Sequence, residues 1–213
     1  MEYLISINSS NPVKLKKDLE KKYIPQSSPH FQFDLPQSLS SRHQAHTKPN
    51  FDQLDVALNL LERAIAENRR ILIVGDFDAD GATASAVAIK ALRMMGAKSV
   101  DFLVPNRFEH GYGLSPEIVD EARKEKDPDL IITVDNGISS IEGTSLARSL
   151  GIDVIITDHH QVKEVVPEAL AIVNPQVGDT YPFKGLCGTG VIFKVIQALL
   201  HKGDFGLTPG WEK

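Results

Sequence analysis

Between residues 54 and 200 the apolar positions follow two alternating rhythms. Leu54, Ala57, Leu58, Leu61, Ala64 and Ile65 recur three or four apart, which puts them on one face of a helix. Ile71–Val74 is an unbroken apolar run, short enough for a strand buried on both faces. Ala82–Met95 reads as a helix stopped by Gly96, and Val100–Val104 as a strand ended by Pro105. Residues 115–126 form a helix signal with Ser115 as cap, Pro116 at the first position and Glu117 in the first turn. Leu130–Val134 is a third strand, Ser139–Leu150 a helix stopped by Gly151, and Val154–Thr157 a fourth strand. Ala171–Val173 offers a short fifth strand and Val191–Leu200 a last helix. Strands alternating with helices predict an α/β fold: a three-layer, mainly parallel sheet flanked by helices. No repeat of solenoid type interrupts this pattern.

The first fifty residues break the rhythm. Residues 1–24 carry Lys14, Lys16, Lys17, Lys21 and Lys22, broken by Asp18 and Glu20, and read as a solvated helix face. Residues 25–50 are rich in Pro, Ser, Gln and His and read as an arm or linker. The predicted organisation is therefore an N-terminal arm and linker over 1–50 and one domain over 51–213. With 213 residues, 42% of them apolar, the chain can bury a core. No apolar run reaches the roughly 18 residues of a membrane span. Met1–Asn8 has no basic lead or cleavage site, so no signal peptide is expected. Cys187 is the lone cysteine, which excludes an internal disulfide and fits a cytoplasmic protein. The net charge of −5 argues against a basic nucleic-acid module. An anionic substrate must then be held by a local site or by metal ions.

In an open parallel sheet, ligands bind beyond the carboxyl ends of the strands. After the first strand stands Gly75-Asp76-Phe77-Asp78-Ala79-Asp80-Gly81; after the third, Asp135-Asn136-Gly137; after the fourth, Asp158-His159-His160. Each Asp taken alone is ordinary at a turn. Turn chemistry does not account for three Asp in five residues together with a His pair on the same edge. Crowded carboxylates repel one another, and a bound cation relieves that repulsion. Oxygen and imidazole ligands without thiolate suit Mn²⁺, Mg²⁺ or Zn²⁺. Two such ions sharing a carboxylate can activate a water and clamp a phosphate, so the pattern points to metal-assisted phosphoester hydrolysis. An EF-hand loop needs an acidic residue six positions after its Gly, where Val87 stands, and a preceding helix, where Ile71–Val74 reads as a strand. A phosphatase with an aspartate nucleophile needs Thr or Val where Ala82 stands.

The segments VGDFDADG (Val74–Gly81), PNRFEHGYGL (Pro105–Leu114), TVDNG (Thr133–Gly137), Asp158-His159-His160 and CGTGV (Cys187–Val191) resemble the DHH phosphoesterases, and within them the RecJ-type single-stranded-DNA exonucleases. Relatives that act on short oligonucleotides or pyrophosphate usually carry a His before the first Asp pair, where this chain has Gly75 and Asp76. The resemblance implies two ions, Mn²⁺ or Mg²⁺. Asp78 and Asp80 would each face one ion, Asp135 would bridge them and His159 would bind the second. His160 would face the scissile phosphate, with Asp158 orienting the histidines. Asp76 is either a ligand in place of the missing His or a turn residue. Arg107 is a candidate for holding a phosphate, as are the N–H groups of Gly188, Thr189 and Gly190 ahead of the last helix. His110 and Tyr112 lie on the same segment as Arg107.

The implied activity is 5′→3′ removal of nucleotides from single-stranded DNA in recombination and repair. Single-strand-binding protein is the implied partner of the full-length protein. The family also carries a fourth metal-binding Asp, a second domain and an oligonucleotide-binding fold. Beyond the His pair this chain has only Asp179 and Asp204. A truncated chain of low or no activity is therefore expected. A hydrolase of short oligonucleotides or cyclic dinucleotides, or a non-catalytic fragment, stays open.

Overall fold

The computed structural model describes residues 51–105 and 113–207, which fall within the unit Lys48–Lys213. The basic stretch and linker expected over 1–50 lie outside them, as do Arg107, His110 and Tyr112. Among the described residues the order is α1 (Leu54–Ala66), β1 (Ile71–Gly75), α2 (Ala79–Met94), β2 (Val100–Leu103), α3 (Pro116–Glu125), β3 (Leu130–Val134), α4 (Ile141–Ser149), β4 (Asp153–Thr157), β5 (Ala171–Val173) and α5 (Gly188–Lys202).

The five strands form one sheet in the order β2-β1-β3-β4-β5, every neighbouring pair parallel. All residues of β1 and β3 are buried, which explains why these strands read as continuous apolar runs rather than alternating ones. Ile71, Ile73, Leu130, Ile132, Val134 and Ile155 point into one core with the apolar faces of α1, α2 and α5. Leu72, Val74, Ile131, Val154 and Ile156 point into a second core with α3 and α4. The sheet is thus the middle of three layers, as the patterning predicts.

Helix α4 starts two residues later than expected, at Ile141, and two other helices start early for the same reason. α2 begins at Ala79, three residues earlier than expected, because the Asp78 carboxylate accepts the Gly81 N–H at 2.9 Å and caps the helix. α5 begins at Gly188 rather than Val191, with Cys187 as its N-cap. In both, a Gly-containing stretch that reads as a turn is the first turn of a helix.

The chain leaves β1 for β2 on one side and returns to β3 on the other. The carboxyl ends of β1 and β3 therefore flank the crevice where the winding direction reverses, the usual ligand position in such sheets.

Candidate metal centre

Four segments converge on that crevice. Asp76, Asp78 and Asp80 follow β1, Asp135 follows β3, Asp158-His159-His160 follows β4, and the N-terminus of α5 closes the side. Asn136 braces the crevice: its amide donates to Val74 O at 3.0 Å and to Val134 O at 2.9 Å, tying the ends of β1 and β3 together.

Asp135 is the central residue. It is 2% exposed and sits at φ 62°, a left-handed conformation uncommon outside glycine and typical of strain at a working site. Its N–H bonds Thr157 O at 3.0 Å. Its Oδ1 lies 3.0 Å from His159 Nε2, yet accepts no hydrogen bond. Burial, then the charges of Asp80 and Asp78, push its carboxyl up to about 7. Gly137 lets the chain turn away: φ is 111°, and a Cβ there would meet Thr133 Oγ1 at 2.5 Å.

Asp158 is 1% exposed and fully engaged. Its Oδ1 accepts the His159 N–H at 2.7 Å and the His160 N–H at 3.2 Å, and faces His160 Nδ1 at 2.7 Å. Its Oδ2 accepts the Ile138 N–H at 2.9 Å. Burial raises its pKa, but the His160 ring and the Ile138 and His160 N–H groups together outweigh burial and hold it below the usual range. The same contact raises the His160 pKa. Asn174 donates to His160 O at 3.0 Å and steadies the turn from behind.

Two groups of side chains could each surround a cation. Asp135, His159 and His160 bring ligand atoms within 4.8 Å of one another, and so do Asp76, Asp78 and Asp135. Asp135 belongs to both. Among the described residues the site carboxylates face the rings of His159 and His160, and no Lys or Arg is paired with them. A buried carboxylate oxygen without a donor, ringed by oxygen and imidazole ligands, fits a divalent cation.

The other candidates fall in different places. Asp80 turns to α5: Oδ2 accepts the Gly188 N–H at 2.7 Å and Oδ1 the Thr189 N–H at 2.8 Å. Burial raises its pKa, and bonds from the Thr189 hydroxyl and the two N–H groups overcome that and lower it. Asp80 Oδ2 still lies 3.9 Å from His159 Nε2. The N–H groups of Gly188 and Thr189, expected to hold a substrate phosphate, face the chain's own Asp80. The Gly190 N–H bonds Cys187 Sγ at 3.4 Å. Asp179 is exposed, and the exposed Asp204 accepts the Gly206 N–H at 3.2 Å; neither joins the groups above. Sequence reasoning missed Asn136 and Asn174, whose partners are backbone carbonyls that leave no mark on composition or spacing.

Residues 70–209 match the family model described as the DHH family, N-terminal domain, and the chain belongs to the DHH family. Within it, the chain is 52% identical over 147 residues to the single-stranded-DNA-specific exonuclease RecJ of Escherichia coli (strain K12), covering 68% of this chain and 25% of that protein. It is 54% identical over 144 residues to the protein of the same name from Dickeya dadantii, covering 67% of this chain and 25% of that one. A crystal structure of exonuclease RecJ bound to manganese matches with a TM-score of 0.67 at 36% identity, over 77% of this chain and 41% of that chain. The chain spans about a quarter of the length of these curated relatives.

Proposed function

We propose that this chain carries the metal centre of a phosphodiesterase that removes nucleotides from single-stranded DNA in the 5′→3′ direction with the help of two divalent cations, Mn²⁺ or Mg²⁺. The observation that carries this reading is Asp135: buried, without a donor at Oδ1, and common to both ligand groups at the crevice between β1 and β3. Relatives named single-stranded-DNA-specific exonucleases and a manganese-bound neighbour support it.

In this proposal Asp76 and Asp78 hold one ion with Asp135. His159 and Asp135 hold the other, with Asp80 beside them. Bound there, the ions supply an activated water and a clamp on the phosphate oxygens. The chain's own residues do the rest. Asp158 holds His160 Nδ1 and so fixes the ring. The Asp158 carboxylate raises the His160 pKa, and a protonated ring there would set positive charge against a phosphate that gains negative charge in the transition state. Arg107 is proposed to hold a substrate phosphate. The proposal extends to a role in recombination and repair in the cytoplasm, with single-strand-binding protein as partner of the longer protein. No helix among the described residues is long and apolar enough to cross a membrane. With a net charge of −5, this chain alone grips a strand weakly, because phosphate contacts normally supply most of the affinity.

The test joins calorimetric titration with Mn²⁺ to digestion of a labelled single strand, its duplex and a dinucleotide, on this chain and on Asp135→Ala. The expected result is Mn²⁺ uptake that the variant loses, with slow release of nucleotides from the single strand only. Turnover of the dinucleotide with the strand untouched would move the reading to a short-oligonucleotide hydrolase. No uptake even at millimolar Mn²⁺ would sink it.

A further inference from the structure

The start of α5 lies against the candidate metal centre without offering it a charged side chain. A Cβ on Gly188 would stand 2.3 Å from Asp135 Oδ1 and 2.6 Å from Asp135 Cβ and Cγ, so Asp135 occupies the space that any other residue at 188 would need. From the other side Asp80 grips the same turn, each of its oxygens taking one N–H, while the Thr189 hydroxyl donates to Asp80 O at 3.0 Å. The rest of α5 is fastened to the core through Val191, Ile192, Val195 and Ile196. Where α5 sits thus sets the distance between Asp80 and Asp135, the carboxylates on either side of His159 Nε2.

We propose that this contact is a seat coupling the docking of α5 to capture of the ion at His159: Gly188 and Thr189 are positioning residues for the metal centre, and metal uptake tightens the first turn of α5. The inference rests on the metal reading above. Each carboxylate oxygen has two lone pairs, so Asp80 Oδ2 can keep the Gly188 N–H and still face a cation. Without a cation, Asp80 and Asp135 repel each other across that turn. With one between them the repulsion is relieved, and Asp80 and Gly188 settle together. Linkage requires the converse: loosening the seat weakens the ion by the same factor.

The experiment reads hydrogen exchange in the peptide spanning residues 186–192 with and without Mn²⁺, alongside calorimetry, in the wild type and in Gly188→Ala, Thr189→Val and Thr189→Ser. Mn²⁺ should slow exchange at the start of α5 in the wild type and in Thr189→Ser, which keeps the hydroxyl. Gly188→Ala should weaken Mn²⁺ by about 10- to 100-fold, the usual effect of disturbing a ligand's supports. Thr189→Val should weaken it roughly threefold, as for one lost hydrogen bond, and show a smaller change in exchange. If Gly188→Ala does not fold, the Thr189 pair decides. Mn²⁺ uptake with exchange unchanged or faster would overturn this inference and leave the metal reading standing; equal affinity in Thr189→Val and the wild type would do the same. No uptake by the wild type would remove both.

Discussion

At the amino ends of the strands, four aspartates each have a cation supplied by the chain. Asp129 accepts Arg70 N–H at 2.8 Å, Nε at 3.1 Å and Nη2 at 2.7 Å. Asp127 is shared by Arg70 and Arg123, Asp153 pairs with Arg69 at 2.7 Å and Asp101 with Lys126 at 2.8 Å. The Arg70 fork holds the Asp129 pKa down at about 2. At the carboxyl ends of the same strands no Lys or Arg is paired with Asp76, Asp78, Asp80, Asp135 or Asp158 among the described residues, and Asp135 is driven up to about 7. One residue type at two ends of one sheet thus does opposite work. Where the chain brings its own cation, aspartate ties elements together. Where it brings none, buried Asp135 is held at an energetic cost, which the proposed cation would offset.

The largest effect that could break this contrast is at Asp135. Asp135→Ala should lower Mn²⁺ affinity by on the order of 100-fold or more, above the range for a ligand's supports. Asp135→Asn, which tolerates the left-handed backbone, should also lose Mn²⁺ yet stabilise the metal-free chain by about 1–3 kcal/mol, because a buried charge is removed. A thermal melt in chelator showing the Asn variant less stable than the wild type would contradict the strained-carboxylate picture. Next comes Asn136→Ala, which leaves Val74 O and Val134 O without their amide. A loss of about 1–3 kcal/mol is expected in denaturant unfolding, together with weaker Mn²⁺ binding.

The two ends should also respond oppositely to pH. Asp135 has a raised folded pKa, so its contribution to the metal-free fold is fully present below its unfolded value of 3.8 and is lost as pH rises through about 7. Protons then compete with the ion, and Mn²⁺ affinity should fall by about tenfold per unit as pH drops below 7. Asp129 has a depressed folded pKa: its contribution is present above 3.8 and disappears as pH falls through about 2. Melts of wild type, Asp135→Asn and Asp129→Asn between pH 2 and 8 would show the two differences growing in opposite directions. A common pH dependence would erase the distinction. The smallest effect is that of Asp129→Ala. With its side chain 35% exposed and screened by water, the loss is on the order of 1 kcal/mol, and Mn²⁺ uptake should not change.

Much of this was legible along the chain. Strands β1, β3 and β4 announce themselves as apolar runs because a parallel strand covered by helices on both faces has no polar side to show. The same reasoning places Asp76–Asp80, Asp135 and Asp158–His160 on one edge, since parallel strands end together. The division of labour among the first three aspartates was not legible. Asp76, Asp78 and Asp80 stand at equal spacing, yet the fold sends two of them toward Asp135 and the third to Gly188, 108 residues away.

The order of residues by itself determined the layers, the helix faces and the kinds of ligand at the carboxyl edge, because periodicity and residue type are local properties. Tertiary structure alone decided that Asp135 is buried with an oxygen that accepts no hydrogen bond, that Asp80 seats a helix, and that a Cβ at Gly188 would crowd Asp135. Each of these depends on which distant backbone group comes within hydrogen-bonding reach, and only the packing of α5 and β3 around one crevice sets that distance.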